Sequence, residues 1–212
     1  MALELCEAAQ RCLAEISGAA PLSEEELLAR TDASPADLVH EVGSTGIKVR
    51  YAYVSRRGYY PDDPDKDNQD ALKVIPALDG SPDYFFAGVF DGHGPNGHMV
   101  AGYVRDKLES ELSRMLKRFP NDCGTVCQHT YKSLNQQVHA TKEINDYISG
   151  TTANSVWFNN NMLYIANIGD SRSILGQTTP DGKLAAFALS SIRISCGIRE
   201  SRTGDGDERA RA

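Results

Sequence analysis

Apolar positions recur with two different periods along this chain, and the change falls near residue 46. Before it, Leu5, Cys12, Leu13 and Ile16 recur at helical spacing, and Gly18 can end that helix. Ser23 and Glu26 form a capping-box pattern ahead of Leu27 and Leu28. Ser34-Pro35-Ala36-Asp37 repeats a helix start, with a cap, a proline at the first helical position and an acid in the first turn. Residues 1–45 are therefore predicted to be a helical leader that packs on the main domain, with a docking or autoinhibitory segment as the alternative.

Beyond residue 46 the texture becomes that of strands. Residues 48–54 are rich in tyrosine and valine, residues 56–70 form a polar loop with two prolines, and residues 71–75 read as a short strand. Residues 84–90 are nearly all apolar and are predicted to be buried on both faces. A glycine-rich loop, 91–97, precedes a long helix whose stripe is Val100, Val104, Leu108, Leu112, Met115 and Leu116. A second helix is predicted from Cys123 to about Ile148. Residues 151–158 and 162–168 then read as a hairpin across Asn159-Asn160-Asn161, and 171–176 pairs with 184–189 across Pro180-Asp181-Gly182. Strands, then paired helices, then strands again predict α+β layers. Residues 192–212 hold few large apolar side chains and are predicted to be a disordered tail.

Composition narrows the partners. With 22 basic and 29 acidic residues the net charge is −7, so the basic face of a nucleic-acid binder is not expected. No apolar run reaches the length that spans a bilayer, and no membrane partner is expected. Glu4, Glu7 and Glu15 interrupt what would be the apolar stretch of a signal peptide, which predicts a cytoplasmic or nuclear protein. The five cysteines (Cys6, Cys12, Cys123, Cys127, Cys196) make no disulfide framework and are read as thiols in a reducing compartment. Cys123, Cys127 and His129 lack a second ligand pair for zinc. His40, His98, His129 and His139 show no ligand pattern and are read as surface or packing residues.

Three clusters carry candidate chemistry. Phe90-Asp91-Gly92-His93-Gly94 puts a carboxylate at the end of a buried strand, followed by a sharp turn. Asp91 and the Gly92 carbonyl suit a hard cation, and His93 suits a general acid; a turn whose aspartate caps backbone amides is the other reading. Asn68-Gln69-Asp70 places another acid at a strand start. If the two strands are neighbours, Asp70 and Asp91 share a site; otherwise Asp70 joins a solvated acidic loop with Asp62, Asp63, Asp65 and Asp67. That loop is not an EF-hand, because counting from Asp63 puts Asn68 at the glycine position and Val74 at the glutamate position. Ile168-Gly169-Asp170-Ser171-Arg172 sets Asp170 in a tight connection, as a metal ligand or as a turn residue.

Taken in order, Gly58 through Asp70-Ala71, Phe90 to Gly94, Gly150-Thr151-Thr152-Ala153 and Asn167 to Arg172 resemble successive motifs of the protein phosphatase 2C family, over about residues 48–191. Arg57-Gly58-Tyr59-Tyr60-Pro61 resembles a plant and protist subgroup, some members of which fuse the phosphatase to cyclic-nucleotide-binding and kinase domains. The resemblance implies two packed sheets flanked by helix pairs, here a partial four-layer αββα sandwich lacking its C-terminal strands. It implies a protein serine/threonine phosphatase in which two Mg²⁺ or Mn²⁺ ions activate a water that attacks phosphorus directly. The expected substrates are phosphoproteins, and the expected state is a monomer. Asp70, Asp91 and the Gly92 carbonyl are implied as metal ligands, Asp170 as an acid at a third, weaker metal site, and His93 as the acid for the leaving oxygen. Gln69 stands where many members have a glutamate that holds a metal-bound water.

Two departures from the family pattern qualify what the resemblance implies. The arginine that usually grips substrate phosphate is replaced by the stretch Asp65-Lys66-Asp67, leaving Lys66, Arg57 or Arg56 for that task. After Ser191 the match stops, and Asp205 and Asp207 do not match the family's later metal-binding aspartates. The alternative expectation is therefore a non-catalytic pseudophosphatase that binds phosphoproteins or regulators. A structural calcium-binding protein using the acidic loop is the third reading.

Overall fold

The computed structural model describes residues 23–35, 38–58, 60, 63 and 65–191, with the backbone of 193–202. In chain order the first elements are α1 (Glu24–Ala29), β1 (Thr31–Ala33), β2 (Leu38–Val42), β3 (Ile47–Tyr51), β4 (Val54–Arg56), β5 (Asp70–Ile75) and β6 (Tyr84–His93). Two helices follow, α2 (Gly97–Arg118) and α3 (Cys123–Ala140). The remaining strands are β7 (Gly150–Thr151), β8 (Ala153–Asn159), β9 (Met162–Gly169), β10 (Ile174–Thr178), β11 (Leu184–Ala188) and β12 (Arg193–Arg202).

The chain divides into two units, one of residues 1–36 and 52–68, the other of residues 37–51 and 69–212. In the first, Ser23 and Glu26 close the expected capping box on α1. β1 pairs antiparallel with β4, and the Arg56 Nε donates to Thr31 Oγ1 at 2.8 Å. None of the described side chains of this unit is fully buried. The expected all-helical leader is corrected here: Thr31–Ala33 and Leu38–Val42 are strands. The reason lies in Leu38-Val39-His40-Glu41-Val42, which alternates and pairs residue by residue with Ile47–Tyr51. A partner strand that satisfies those backbone groups outweighs the helix-start signal at Ser34. The helix expected before Gly18 lies outside the described residues.

The second unit is built on a six-stranded antiparallel sheet in the order β12-β9-β8-β6-β5, with β7 joined to the end of β6. Period-2 alternation sorts its residues between two faces. Phe86, Phe90, Trp157, Ala71 and Ile75 turn toward α2 and α3 and make the core with Leu108, Leu112, Val126 and Leu134. The whole predicted stripe of α2 is buried. Cys123 and Cys127 are core thiols on α3. On the opposite face, Phe85 is covered by the β2–β3 hairpin, with Tyr51 edge-on to it at 5.0 Å and His40 at 5.7 Å between ring centroids. Burial on that face fades along β6, so that Val89 is 49% exposed and Asp91 is open to solvent. Residues 84–90 are thus buried on both faces only in their first half.

Two further expectations change. The second helix stops at Ala140, because Thr141 and the turn-forming residues after it spend their hydrogen bonds locally and on the Asn96 loop. Arg193–Arg202, expected as part of a disordered tail, runs as a strand along β9 with an irregularity between Arg193 and Gly197. The β8–β9 hairpin turns where expected, with Asn160 at φ 52°, a left-handed conformation that asparagine tolerates. The architecture is α+β, as the sequence predicts.

Candidate functional site

Strand register alone puts the first two acids together. β5 and β6 run antiparallel with Asp70 directly opposite Asp91. Directly opposed residues point to the same face, here the one away from the helices. Burial raises the Asp70 carboxyl above its ordinary value, and the charge of Asp91 and a hydrogen bond with it add to that rise. Two carboxylates held this close repel unless a proton or a cation lies between them. The pair is open to solvent, as a site that takes up an ion must be.

Glycines shape the turn that follows. A side chain at Gly92 would sit 2.5 Å from the Gly97 carbonyl oxygen, so the end of β6 and the start of α2 can approach only without one. Gly94 adopts φ 80°, and its carbonyl accepts a 2.6 Å bond from Gln69 Nε2. Gln69 thus braces the turn through its amide nitrogen, a donor that a glutamate would lack. His93 lies opposite Gly150, and a Cβ there would come within 2.8 Å of the imidazole Nε2. The ring therefore rests over bare backbone and is exposed on its other side.

Thr152 joins this turn to the third motif. Its hydroxyl accepts from the Asp91 N–H at 3.0 Å, and its own N–H donates to the Asp91 carbonyl at 2.9 Å. The same hydroxyl lies 2.5 Å from Ser171 Oγ, and its methyl group backs onto Gly169. Asp170, between those two residues, is thereby brought to the same end of the sheet. Among the described residues, however, no three His, Cys, Asp or Glu side chains converge as a metal cluster. Lys66 and Arg57 belong to the smaller unit, where the Lys66 ammonium stands 3.9 Å over the Tyr60 ring and the Arg57 N–H donates to the Arg30 carbonyl.

A buried polar cluster beneath the turn escapes sequence reasoning. Asn154 Nδ2 donates to Asn167 Oδ1 at 2.5 Å and to Ser190 Oγ at 3.3 Å, while Ser173 donates to Asn154 Oδ1. Asn167 Nδ2 reaches the Ser191 and Gly169 carbonyls. The signal was present in β9, where Asn167 interrupts an apolar run; it stands opposite Asn154 on the sheet face away from the helices, and buried amides demand partners. Two exposed carboxylates on adjacent strand ends are the oxygen donors a hard divalent ion such as Mg²⁺ or Mn²⁺ prefers, so the residues present fit such an ion in part.

Residues 63–187 match the protein phosphatase 2C family. "Probable protein phosphatase 2C 35" of Arabidopsis thaliana is 37% identical over 155 residues, covering 73% of this chain and 44% of that protein. "Probable protein phosphatase 2C 64" of Oryza sativa subsp. japonica is 37% identical over 120 residues, covering 54% of this chain and 28% of that protein. The chain thus spans less than half the length of these relatives. Its fold is similar to that of a bacterial serine phosphatase (TM-score 0.51, 15% identity, 81% of this chain and 72% of that one). It is also similar to that of a serine-threonine phosphatase 2C from Toxoplasma gondii (TM-score 0.50, 19% identity, 76% of this chain and 54% of that one).

Proposed function

This chain belongs to the protein phosphatase 2C family, and we propose that it hydrolyses phosphoserine and phosphothreonine in proteins, with Asp70, Asp91 and the Gly92 carbonyl holding Mg²⁺ or Mn²⁺. The observation that supports this most is the direct opposition of Asp70 and Asp91 on neighbouring strands. Divalent ions bound there supply Lewis acidity and neutralise charge on the phosphoryl oxygens.

The chain's own residues supply the rest. Thr152 holds both backbone groups of Asp91, so that the carboxylate meets its partner without a search through conformations. Gln69 fixes the Gly94 turn, and the missing side chains at Gly92 and Gly94 let the start of α2 and the 141–149 loop close against it, which holds the acid pair's strand end in place. His93 presents an exposed imidazole beside the acids and gives a proton to the serine or threonine oxygen as it leaves. Asp170 adds negative charge at the same end and serves as an outlying ligand.

Mn²⁺-dependent release of phosphate from a phosphopeptide tests the proposal, with Asp91→Ala as control. Turnover that needs the metal and disappears in the control supports it; turnover that persists in Asp91→Ala overturns the assignment. The lack of a third acid beside Asp70 and Asp91 among the described residues favours one rival, a non-catalytic phosphoprotein binder. Tight phosphopeptide binding without turnover would establish that rival.

A further inference from the structure

Between α3 and β7 the chain makes a nine-residue loop, 141–149, that ends against the candidate site. One end is sunk in the core through Ile144. The other is clamped to the turn that carries His93: the Asn96 N–H donates to Ser149 Oγ at 3.0 Å, and Asn96 Nδ2 donates to the Asn145 carbonyl at 2.8 Å. Within the loop, the Tyr147 N–H donates to Asn145 Oδ1 at 3.3 Å and the Ser149 N–H to the Asp146 carbonyl at 3.3 Å. The Ile148 carbonyl abuts Gly94, where a side chain would collide with it.

This held loop presents two apolar side chains to water. Tyr147 is 91% exposed and Ile148 is 65% exposed. A single exposed apolar residue needs no explanation, but two in sequence on a braced loop next to a reactive site do. Ile148 adjoins Gly94, the residue after His93, and Gly150, over which the His93 ring rests, is two residues further on. With Cα atoms spaced about 3.8 Å along the chain, Tyr147 stands within about 11 Å of Gly150. A peptide whose phosphorylated residue lies on the acid pair would pass its next one to three side chains over this loop.

We propose that Tyr147 and Ile148 form an apolar lip that selects phosphoproteins carrying an aliphatic or aromatic side chain within about three residues of the phosphorylated one. The inference rests on the phosphatase reading for the position of the phosphorylated residue. The occupant is a substrate segment because the lip is continuous with the acid end of the sheet. The hydrogen-bonded backbone beneath the two side chains helps the selection, since a loop held beforehand loses little backbone freedom on binding. Tyrosine is suited to the task, as it offers a large area with few rotatable bonds.

Paired phosphopeptides that differ only in leucine or serine flanks test the lip on the full chain, by Mn²⁺-dependent hydrolysis and by fluorescence anisotropy. The wild type is expected to prefer the leucine-flanked peptide by about tenfold, the scale of selection by an apolar pocket. In Tyr147→Ser and Ile148→Ser that ratio should fall toward one, and Tyr147→Phe should restore it. Melting temperatures unchanged from wild type verify that the variants fold. A wild type without flank preference in either measurement overturns the lip, as does a preference that survives in both serine variants. Loss of hydrolysis with flank-dependent binding intact overturns the phosphatase reading alone and leaves the lip standing.

Discussion

Strands β8 and β9 and the hairpin β10–β11 look alike in sequence and end in opposite surroundings. Trp157 and Ile165 on the first pair are each 1% exposed, whereas Ile174 and Leu184 on the second are 67% and 80% exposed. Both pairs are antiparallel and in regular register. Trp157 meets Phe86 and Tyr84 edge-on beneath α2 and α3, while among the described residues no element packs over either face of the hairpin. Short apolar stretches are sufficient to pair two strands, but burial requires a facing layer as well. A two-stranded ribbon alone is marginal in water, and an exposed apolar one is open to further pairing.

Mutations should separate the two pairs by the size of their effect. Trp157→Ala is expected to cost about 3–5 kcal/mol in urea unfolding, because it empties the centre of the core. Asn154→Ala should cost about 1–3 kcal/mol by the same measurement, since it takes the donor from Asn167 Oδ1 and the acceptor from the Ser173 hydroxyl. If Asn154→Ala proves neutral, the polar cluster plays no part in holding the strand ends.

The acid pair occupies the point where the buried strands run out into solvent, and its effect should be intermediate. The folded Asp70 has its carboxyl raised above the unfolded value, so the folded state binds the extra proton and stability declines as pH climbs from the unfolded pKa to the folded one. The cost is complete above the folded pKa and vanishes below the unfolded one. Asp70→Asn should therefore stabilise the chelator-treated protein near neutral pH, by a few tenths of a kcal/mol after allowance for solvent screening. The gain should vanish in acid; a gain that persists there would assign the effect to something other than the ionised Asp70 carboxylate, which burial and the charge of Asp91 disfavour. On the hairpin, Phe187→Ser should change stability by no more than about 0.5 kcal/mol, while light scattering shows less self-association. A cost comparable to that of Trp157→Ala would mean that the hairpin is covered in solution.

Legibility followed the range of the interactions. The α2 stripe, the β8–β9 turn and the capping box at Ser23 rest on neighbours within a few residues and were plain in the sequence. The helix expected at Ser34 was displaced by a strand partner, and the extension of α3 toward Ile148 by the clamp from Asn96. At the site, Asp70, Asp91 and His93 stood out as acids and a histidine beside glycines. Thr152, Gln69 and Asn154 act through contacts with residues distant in the chain, so only their positions among apolar residues hinted at them.

By itself, the order of residues determined α2, the strands β5, β6, β8 and β9, the family to which the chain belongs and the two acids proposed as metal ligands. The fold alone decided that Asp70 and Asp91 stand opposite one another, that Thr152 ties Asp91 to the Ser171 turn, and that Tyr147 and Ile148 face solvent beside them. Hydrophobic period and turn chemistry are local properties that any short window of sequence carries. Register between strands and the closure of hydrogen bonds across the sheet exist only once distant segments have met.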